Sequence, residues 1–449
     1  MSTPTSARQS ASTPPWVPWG VTRRFWVWSL VGFAVWTLGA SWFVRLACHQ
    51  MSWDGGVAFH ATCYSDLPTL YRNTGMVDGN FPYMSPDALL EYPVLQTVIA
   101  SITGVVAHAI SGDTSVHNAQ SIYFDVNFVL LTVVWITTVL LLARMVAAPR
   151  FAVVAALAPA AAATATINWD LWPVLASVAA LWFFRKEQWV WGGIMLGIGT
   201  ALKLWPFVML GAVIVIGIRQ RHLIPAVKAT VAAVVTWLAI NMPFYLLDPQ
   251  QWKYFWGFSS ERGAGYSSIY HVWNVVVVPA LSGEPLSPDV INLIAYGGFA
   301  LCCLVILGLG FLAPKPPTLE QLSLLIVAAF VVTNKVYSPQ FVLWLVPLVI
   351  LARPKIGQFL IWQVVEVFHW FVIFRWLHVM IREPGLQQFW TSVYGVAVFL
   401  HVLAVVLICT ATVIDIMRGR APSNVTDSAV TVNQAHFPRG AQKEAVASA

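Results

Sequence analysis

Apolar runs long enough to span a bilayer recur along nearly the whole chain, and they constrain its fold more than any other feature. They extend from Phe25 to about Met417 with short polar breaks, and the mean hydropathy is +0.70 with only 10% charged residues. A chain of 449 residues with so few polar groups cannot cover a water-soluble globule, so we expect a membrane protein. The runs correspond to about ten to twelve crossings of roughly 20 residues each.

Helices are the expected form of these crossings. Inside a bilayer the backbone must satisfy its own hydrogen bonds, and the runs lack the two-residue alternation of barrel strands. The sequence therefore predicts an all-α polytopic membrane protein with one transmembrane domain at residues 23–417. A head at residues 1–22 and a tail at residues 418–449 are polar and without apolar period, so both are expected to be disordered and cytoplasmic.

The distribution of basic residues indicates which polar breaks face the cytoplasm, because cytoplasmic loops carry the excess of Lys and Arg. Basic residues collect in alternate breaks, at Arg23 and Arg24, Arg144 and Arg150, Arg185 and Lys186, Arg219 to His222, Lys315, Arg353 to Lys355, and Arg418 to Arg420. The other breaks hold most of the acids and would face outward. The net charge of +6 then fits an inner membrane face with anionic lipids better than nucleic acid. We expect a multi-pass protein of the plasma membrane.

Residues 91–150 do not fit this alternation. An odd number of crossings must separate an outward first helix from an inner turn at Arg144 and Arg150. Two apolar stretches are present, Glu91 to Ile110 and Ser121 to Leu142. Either the first of them is bent and does not cross, or the basic turn is external. The sequence leaves both alternatives open.

The longest outward segment is residues 48–90, which has no continuous apolar run. Its aromatic, Pro and Gly residues predict short amphipathic helices at the membrane surface rather than a folded ectodomain. Cys48 and Cys63 both lie in this first outer loop. In an oxidising exterior they are able to form a disulfide if their Cα atoms come close enough, which the sequence does not determine.

Two lysines interrupt apolar segments beside a proline, on the same predicted side. Lys203 lies in the Lys203-Leu204-Trp205-Pro206 turn of a predicted helical hairpin, and Lys335 lies in the segment from Asn334 to Gln340. A charge at the centre of a membrane helix costs about 2.5 to 3.5 kcal/mol, so such residues are usually paired or functional. Binding of a phosphate is one interpretation. A snorkelling lysine at a kink and an interfacial anchor are the alternatives.

Other outward groups supply further candidates. Arg262 and His271 are able to add hydrogen-bond donors, unless they are ordinary loop residues. Three carboxylates face the same side: Asp66 in a Ser-Asp-Leu-Pro turn, Glu91 at the head of a helix, and Asp170 at a helix start after Asn168-Trp169. Since a carboxylate at a helix N-terminus is stabilised whatever its function, Glu91 and Asp170 carry less weight than Asp66.

Ionisable residues also lie within the predicted helices. Among them are Glu366, His369 and His401, which we expect to pair inside the bundle. No Cys/His cluster has the spacing of a metal site, and the first outer loop has no Asp-Xaa-Asp or Glu-Xaa-Asp pair. The sequence therefore predicts neither a metal nor a cofactor.

Several motifs, taken in chain order, resemble the GT-C glycosyltransferases. More closely, they resemble the actinobacterial glycosyltransferase family 87, the polyprenyl-phosphomannose-dependent α-1,2-mannosyltransferases. The resemblance covers about residues 25–415 and is carried by Asp66-Leu-Pro-Thr-Leu-Tyr71-Arg72, Phe81-Pro82-Tyr83, Glu91-Tyr92-Pro93, Asn168-Trp169-Asp170, Lys203-Leu-Trp-Pro206 and Asn334-Lys335-Val-Tyr337-Ser-Pro-Gln340.

The resemblance implies an inverting transfer at the outer membrane face, from a polyprenyl-phosphate sugar to a hydroxyl of a cell-envelope glycolipid or glycan. The family's general base is an aspartate of the first outer loop, which matches Asp66. A leaving phosphate needs cations, for which the candidates are Lys203, Lys335, His271 and Arg262. The substrate-binding candidates are Tyr71, Arg72, Glu91, Tyr92, Asn168, Asp170 and Tyr337.

Three other functions remain open from the sequence. The sugar expected from the resemblance is mannose, but enzymes that use a decaprenyl-phosphate arabinofuranose have a similar aspartate and Tyr-Pro segment. A transporter of lipid-linked sugars would use the same lysines, although it would need a polar path to both faces. A non-catalytic scaffold that retains the fold is the third alternative.

Overall fold

The computed structural model describes residues 23–422 as helices joined by short turns, and it contains no strand in this range. The head and most of the tail lie outside the described residues, so their disorder stays a prediction. The α-helices are α1 (Arg23–Val44), α2 (Leu46–Gln50), α3 (Gly55–His60), α4 (Asp66–Asn73), α5 (Val94–Ser111), α6 (Val116–Ala143), α7 (Pro149–Ala156), α8 (Pro159–Thr164), α9 (Leu171–Arg185), α10 (Trp189–Leu202), α11 (Met209–Arg219), α12 (Leu223–Leu247), α13 (Pro249–Glu261), α14 (Ile269–Val272), α15 (Val278–Leu281), α16 (Pro288–Leu312), α17 (Leu319–Thr333), α18 (Val342–Ala352), α19 (Ile356–Arg382) and α20 (Gln387–Met417).

The protein is an all-α polytopic membrane protein, as the sequence predicts. Among the described residues, 7 helices are long and apolar enough to cross a membrane: α1, α5, α6, α12, α16, α19 and the helix that ends at Met417. Local signals mark where helices begin. Proline occupies the first turn of α7, α8, α13 and α16, where its missing amide costs nothing. Thr318 and Gln321 form a reciprocal capping box at the start of α17.

The helix ends fall into two sets, one at each end of the bundle. At the first end, the Asp66 amide donates to the Ile167 carbonyl at 2.7 Å, and Lys203 pairs with Asp170. At the opposite end, Arg219 donates to the Ala313 carbonyl, and Arg353 pairs with Asp415. The basic turns thus gather at one end of the bundle and the candidate site residues at the other.

One ion pair joins two chain segments at the opposite end. Arg185, at the end of α9, contacts Glu320, in the first turn of α17, and also the carbonyl of Met145. Arg185 therefore lies beside the turn that follows α6. This contact shows that the Arg144 to Arg150 turn belongs with the other basic turns.

The α5 helix begins and ends at the same end of the bundle. It starts just after Tyr92, which lies beside Asp66 in the cavity described below. Beyond its end, the first turns of α6 are tied to the outer loop: the Gln120 amide donates to the Pro68 carbonyl, and the Trp53 indole donates to the Ser121 hydroxyl. The first alternative for residues 91–150 therefore holds, because this stretch does not pass through the bundle. It is nevertheless one continuous helix, not a bent one.

Seven shorter apolar helices of 10–17 residues accompany these spans among the described residues, for example Leu171–Arg185, Trp189–Leu202 and Leu319–Thr333. The number of crossings stays a prediction. Residues 48–90 form short helices, as expected, but the segment packs over the end of the bundle: the Ser65 hydroxyl donates to the carbonyl of Thr166 and contacts that of Ile167. This anchoring fixes where α4 begins.

Candidate active site

A cavity of about 750 Å³ opens at the end of the bundle where the first outer loop packs. Its wall comes from parts of the chain that are far apart in sequence. Its polar and charged lining residues include Asp66, Glu91, Asn168, Lys203, Arg262, Asn334, Lys335, Ser338 and Gln340. The remainder of the wall is mainly aromatic and aliphatic. The cavity thus joins charged groups to an extended apolar surface.

Asp66 is held on this wall by hydrogen bonds to both of its oxygens. The Tyr64 hydroxyl donates to Oδ1 at 2.8 Å, and the Asn168 amide lies 3.4 Å from Oδ2. Asn168 lies at the same distance from the Tyr92 hydroxyl. These contacts fix the orientation of the carboxylate while leaving it facing the cavity.

The local sequence explains why Asp66 sits there. Ser65 is the N-cap residue of α4, and its hydroxyl accepts from the Leu67 amide. The same hydroxyl reaches across to the segment before α9, as described above. Asp66 is therefore the first residue of a short helix, where the helix N-terminus also favours a negative charge.

Burial raises the pKa of Asp66 above its usual value, and the charge of Asp170 adds to this. The Tyr64 hydroxyl, the Lys203 ammonium and the Asn168 amide oppose the change because each stabilises the ionised form. Burial likewise raises the pKa of Glu91, with a contribution from Asp66. A carboxylate with a raised pKa is a stronger base than one on the surface, which suits it to accept a proton.

Lys203 and Asp170 form an ion pair, with Nζ and Oδ1 2.5 Å apart and the Asp170 side chain fully buried. The Trp344 indole also donates to this Oδ1 at 2.9 Å. Asp170 is the N-cap residue of α9, as its position at a helix start predicts, but its side chain forms no capping hydrogen bond and pairs with Lys203 instead. Lys203 lines the cavity, and the carboxylate of Asp170 balances its positive charge.

Lys335 and Arg262 are the other cations of the cavity. Lys335 is 6% exposed, and its Nζ donates to the Ser260 carbonyl at 3.0 Å. Burial lowers the pKa of Lys335, and the charge of Arg262 lowers it further. Within residues 23–422 neither Lys335 nor Arg262 forms an ion pair with a carboxylate, so the two cations on this wall attract an anion. The sequence allows the same interpretations for Lys203 and Lys335. In the structure, Lys203 pairs with Asp170, whereas Lys335 donates to a backbone carbonyl.

Besides Asp170, four of the predicted site residues do not line the cavity. Tyr71 is buried and stacks on Tyr123, with ring centroids 4.3 Å apart. Arg72 is exposed and pairs with Asp54 at 3.0 Å. Tyr71 thus packs the loop onto α6, and Arg72 lies at the surface.

The other two are His271 and Tyr337. His271 contacts the Tyr394 hydroxyl through Nδ1 at 3.0 Å. Tyr337 is buried against His401, with ring centroids 3.9 Å apart, while its neighbours Val336 and Ser338 line the cavity. Neither side chain reaches the cavity. Glu91 does line it but precedes Pro93, the residue before α5, so it does not head a helix.

Two residues at the site were missed by sequence reasoning. Tyr64 lies only two residues before Asp66, so its hydroxyl was near enough to be considered. Trp344 lies in a uniformly apolar helix, and no signal in the sequence indicates its bond to Asp170. The structure also joins Cys48 to Cys63 by a disulfide, with Cα atoms 5.7 Å apart, and so decides a pairing that the sequence left open.

The fold and the cavity define a polytopic membrane protein with a built site at one end of its bundle. The model of glycosyltransferase family 87 matches residues 120–333, just under half of the chain. This match agrees with the family that the motifs indicated, and it indicates a glycosyltransferase. A search of curated proteins finds no significant match.

The matched range limits what the family assignment says about the site. It contains Asn168, Asp170, Lys203 and Arg262, but it begins after Asp66 and ends before Lys335. The match thus identifies a glycosyltransferase, which requires a sugar donor and an acceptor. The match says nothing about Asp66 or Lys335.

Proposed function

We propose that this glycosyltransferase transfers mannose from a polyprenyl-phosphate donor to a hydroxyl of a cell-envelope glycolipid or glycan, with inversion, at the outer face of the plasma membrane. One observation carries the proposal. The partly buried carboxylate of Asp66, bonded at both oxygens, shares a cavity with the cations Lys335 and Arg262. A base and a phosphate site are the two elements that this reaction needs.

The reaction is a single displacement at the anomeric carbon. The acceptor oxygen attacks that carbon as Asp66 takes the hydroxyl proton, and the bond from the carbon to the phosphate oxygen breaks. The leaving phosphate keeps the bonding electron pair, and Lys335 and Arg262 stabilise its charge. Since the base acts on the acceptor and forms no bond to the sugar, one displacement inverts the configuration.

The apolar part of the wall suits a polyprenyl chain. Aromatic side chains of α13, α16 and α17 line the cavity, among them Phe255, Phe258, Phe299 and Phe330. A long isoprenoid is bound by such surfaces through burial of apolar area, at roughly 25 cal/mol per Å². A soluble nucleotide sugar would gain nothing from them. This combination of cations and apolar surface supports a polyprenyl-phosphate donor.

Two alternatives remain as outcomes of the test. A polyprenyl-phosphate arabinofuranose would need the same base and the same cations, so it differs only in the sugar. A transporter would need a polar path through the bundle, whereas buried apolar side chains of α18 and its neighbours fill the core below the cavity. We therefore favour the transferase.

The test uses the full chain purified in detergent with a mannose-bearing and an arabinofuranose-bearing polyprenyl phosphate, and a membrane glycolipid extract as acceptor. We expect transfer of mannose. Asp66→Asn should reduce the rate by about 100- to 10,000-fold, the usual contribution of a general base. Product analysis by mass spectrometry identifies both the sugar and the acceptor.

Arg72→Gln is the matched control, because it changes a charged side chain of the same short helix that lies at the surface. It should retain the wild-type rate. Both variants should elute as the wild type does in size-exclusion chromatography. Full activity of Asp66→Asn would refute the role of this carboxylate, and transfer from a nucleotide sugar alone would refute the donor class.

A further inference from the structure

A second cluster of ionisable side chains lies inside the bundle, where α19 and α20 pack together. Glu366, His369 and His401 offer ligand atoms that all lie within 4.8 Å of one another, the only such group among the described residues. All three are buried, with exposed fractions of 2%, 0% and 0%. His369 lies one turn along α19 from Ile373, which lines the cavity, but the cluster itself does not. The mechanism above does not use it.

Several polar atoms of this cluster have no hydrogen-bond partner. They are both ring nitrogens of His369, Nε2 of His401 and the hydroxyl of the neighbouring Tyr337. A buried polar atom without a partner costs about 1 to 3 kcal/mol. Glu366 forms its ion pair only with His401 among the described residues. A cation bound by Glu366, His401 and one nitrogen of His369 would give that nitrogen a partner.

We propose that Glu366, His369 and His401 bind a divalent transition-metal ion of the zinc class. Two imidazoles and one carboxylate are a common zinc ligand set, and here they come from a Glu-Xaa-Xaa-His pair on α19 and one histidine of α20. The ion would lie among three buried ligands and would link two helices. This site is independent of the function proposed above, because none of its ligands lines the cavity.

The hydrogen bonds around Glu366 orient the site. The Trp362 indole donates to Oε1 at 2.7 Å, and Oε2 lies 2.7 Å from Nδ1 of His401. Since Oε2 and Nδ1 already face each other, an ion bound by both would lie between them and take the place of the proton that they share.

Binding requires one movement, at His369. Its ring lies parallel to that of His401, with centroids 3.9 Å apart and planes at 9°, so their in-plane lone pairs cannot meet at one ion. Neither nitrogen of His369 has a partner, so a rotation about its side-chain bonds breaks no hydrogen bond. Glu366 and His401 already contact each other.

The experiment measures zinc bound to the full chain purified in detergent, loaded with Zn²⁺ and then desalted. We expect one equivalent per chain by mass spectrometry of the metal. Glu366→Gln, His369→Gln and His401→Gln should each lower the retained zinc to a small fraction of that value. His378→Gln is the matched control on the same helix, since His378 contacts Glu383 and His60 near the surface.

A second measurement does not depend on the folding of variants. X-ray absorption of the zinc-loaded wild type should show only nitrogen and oxygen neighbours, with two imidazoles and Zn–N distances of about 2.0 to 2.1 Å. The proposal is refuted if the wild type retains no zinc, if only His378→Gln loses it, or if the spectrum lacks imidazole. Zinc lost in the three buried variants alone supports it.

Discussion

At the scale of single residues, the surroundings of Asp66 decide its chemistry. Burial raises the pKa of this carboxyl, whereas Tyr64, Lys203 and Asn168 lower it. Since the folded-state pKa exceeds the ordinary value, ionisation of Asp66 lowers stability as the pH rises through that range. The protein thus keeps a costly charge on the wall of the cavity. Replacement by Asn should leave the unfolding temperature unchanged or raise it.

Tyr64→Phe should shift the pH dependence of transfer. Asp66 accepts a proton only when ionised, so the rate falls as the pH drops through its pKa. The Tyr64 hydroxyl stabilises the ionised form, and a hydrogen bond to a charged group contributes about 1.5 to 3 kcal/mol. Its loss should raise the pKa and move the acidic limb upward by roughly one to two pH units. The measurement is a pH–rate profile at saturating donor.

Tyr296→Phe is the control for this shift, because it removes another phenol of the cavity wall without touching the hydrogen bonds of Asp66. Its profile should match that of the wild type. An unshifted acidic limb in Tyr64→Phe would show that another group is the base. A uniform drop in rate at every pH would mean that Tyr64 only shapes the cavity.

At the scale of elements, two glycines set how closely α10 approaches α12. A methyl group on Gly193 would lie 2.1 Å from the Ala229 carbonyl oxygen, and one on Gly197 would lie 2.5 Å from that of Ala233. Glycines four residues apart let two membrane helices pack backbone to backbone. Because α10 ends at Lys203, this packing also fixes where the lysine meets Asp170.

Gly193→Ala should therefore destabilise the fold. The added methyl meets backbone atoms, so the two helices must separate, at a cost of about 1 to 3 kcal/mol or more. Gly32→Ala on α1 is the matched control, since nothing lies within 4 Å of its added methyl. Thermal unfolding in detergent should show a lower midpoint for Gly193→Ala only. Equal midpoints in the two variants would contradict the close approach.

At the scale of the whole molecule, the two ends of the bundle differ in charge and covalent structure. The basic turns lie at one end, and the disulfide-bonded loop and the cavity lie at the other. Disulfides persist in oxidising compartments and basic loops stay in the cytoplasm, so both features favour an outward cavity. Because α5 begins and ends at the cavity end of the bundle, the chain returns to the basic end only through α6. The turn after α6 therefore lies with the other basic turns, as this orientation requires.

Cysteine labelling in intact cells tests the orientation. Asp113→Cys, in the turn between α5 and α6, should react with a membrane-impermeant maleimide. Arg150→Cys, after α6, should react only once the membrane is permeabilised. Both native residues are exposed, so access to the reagent depends on the side of the membrane. The wild type is the control for its own cysteines, and the reverse pattern would place the cavity in the cytoplasm.

Much of the fold could be predicted because it depends on local properties. Long apolar runs require helices in a bilayer, and the basic turns lie together as the alternation of charge predicts. Residues 91–110 show where this reasoning stops. An apolar helix that lies along the end of the bundle has the same composition as one that passes through it, so only its contacts with the outer loop distinguish the two.

For individual side chains, too, the sequence predicts some features and only the tertiary contacts determine others. The sequence by itself determined the membrane class, the helices, the family and a set of residues that includes Asp66, Lys203 and Lys335. The tertiary structure alone decided that Lys203 is paired, that Tyr71 and Tyr337 do not reach the cavity, and that Glu366 meets His401. Hydropathy and helix signals act over a few neighbouring residues, whereas pairing and orientation depend on groups brought together from distant parts of the chain.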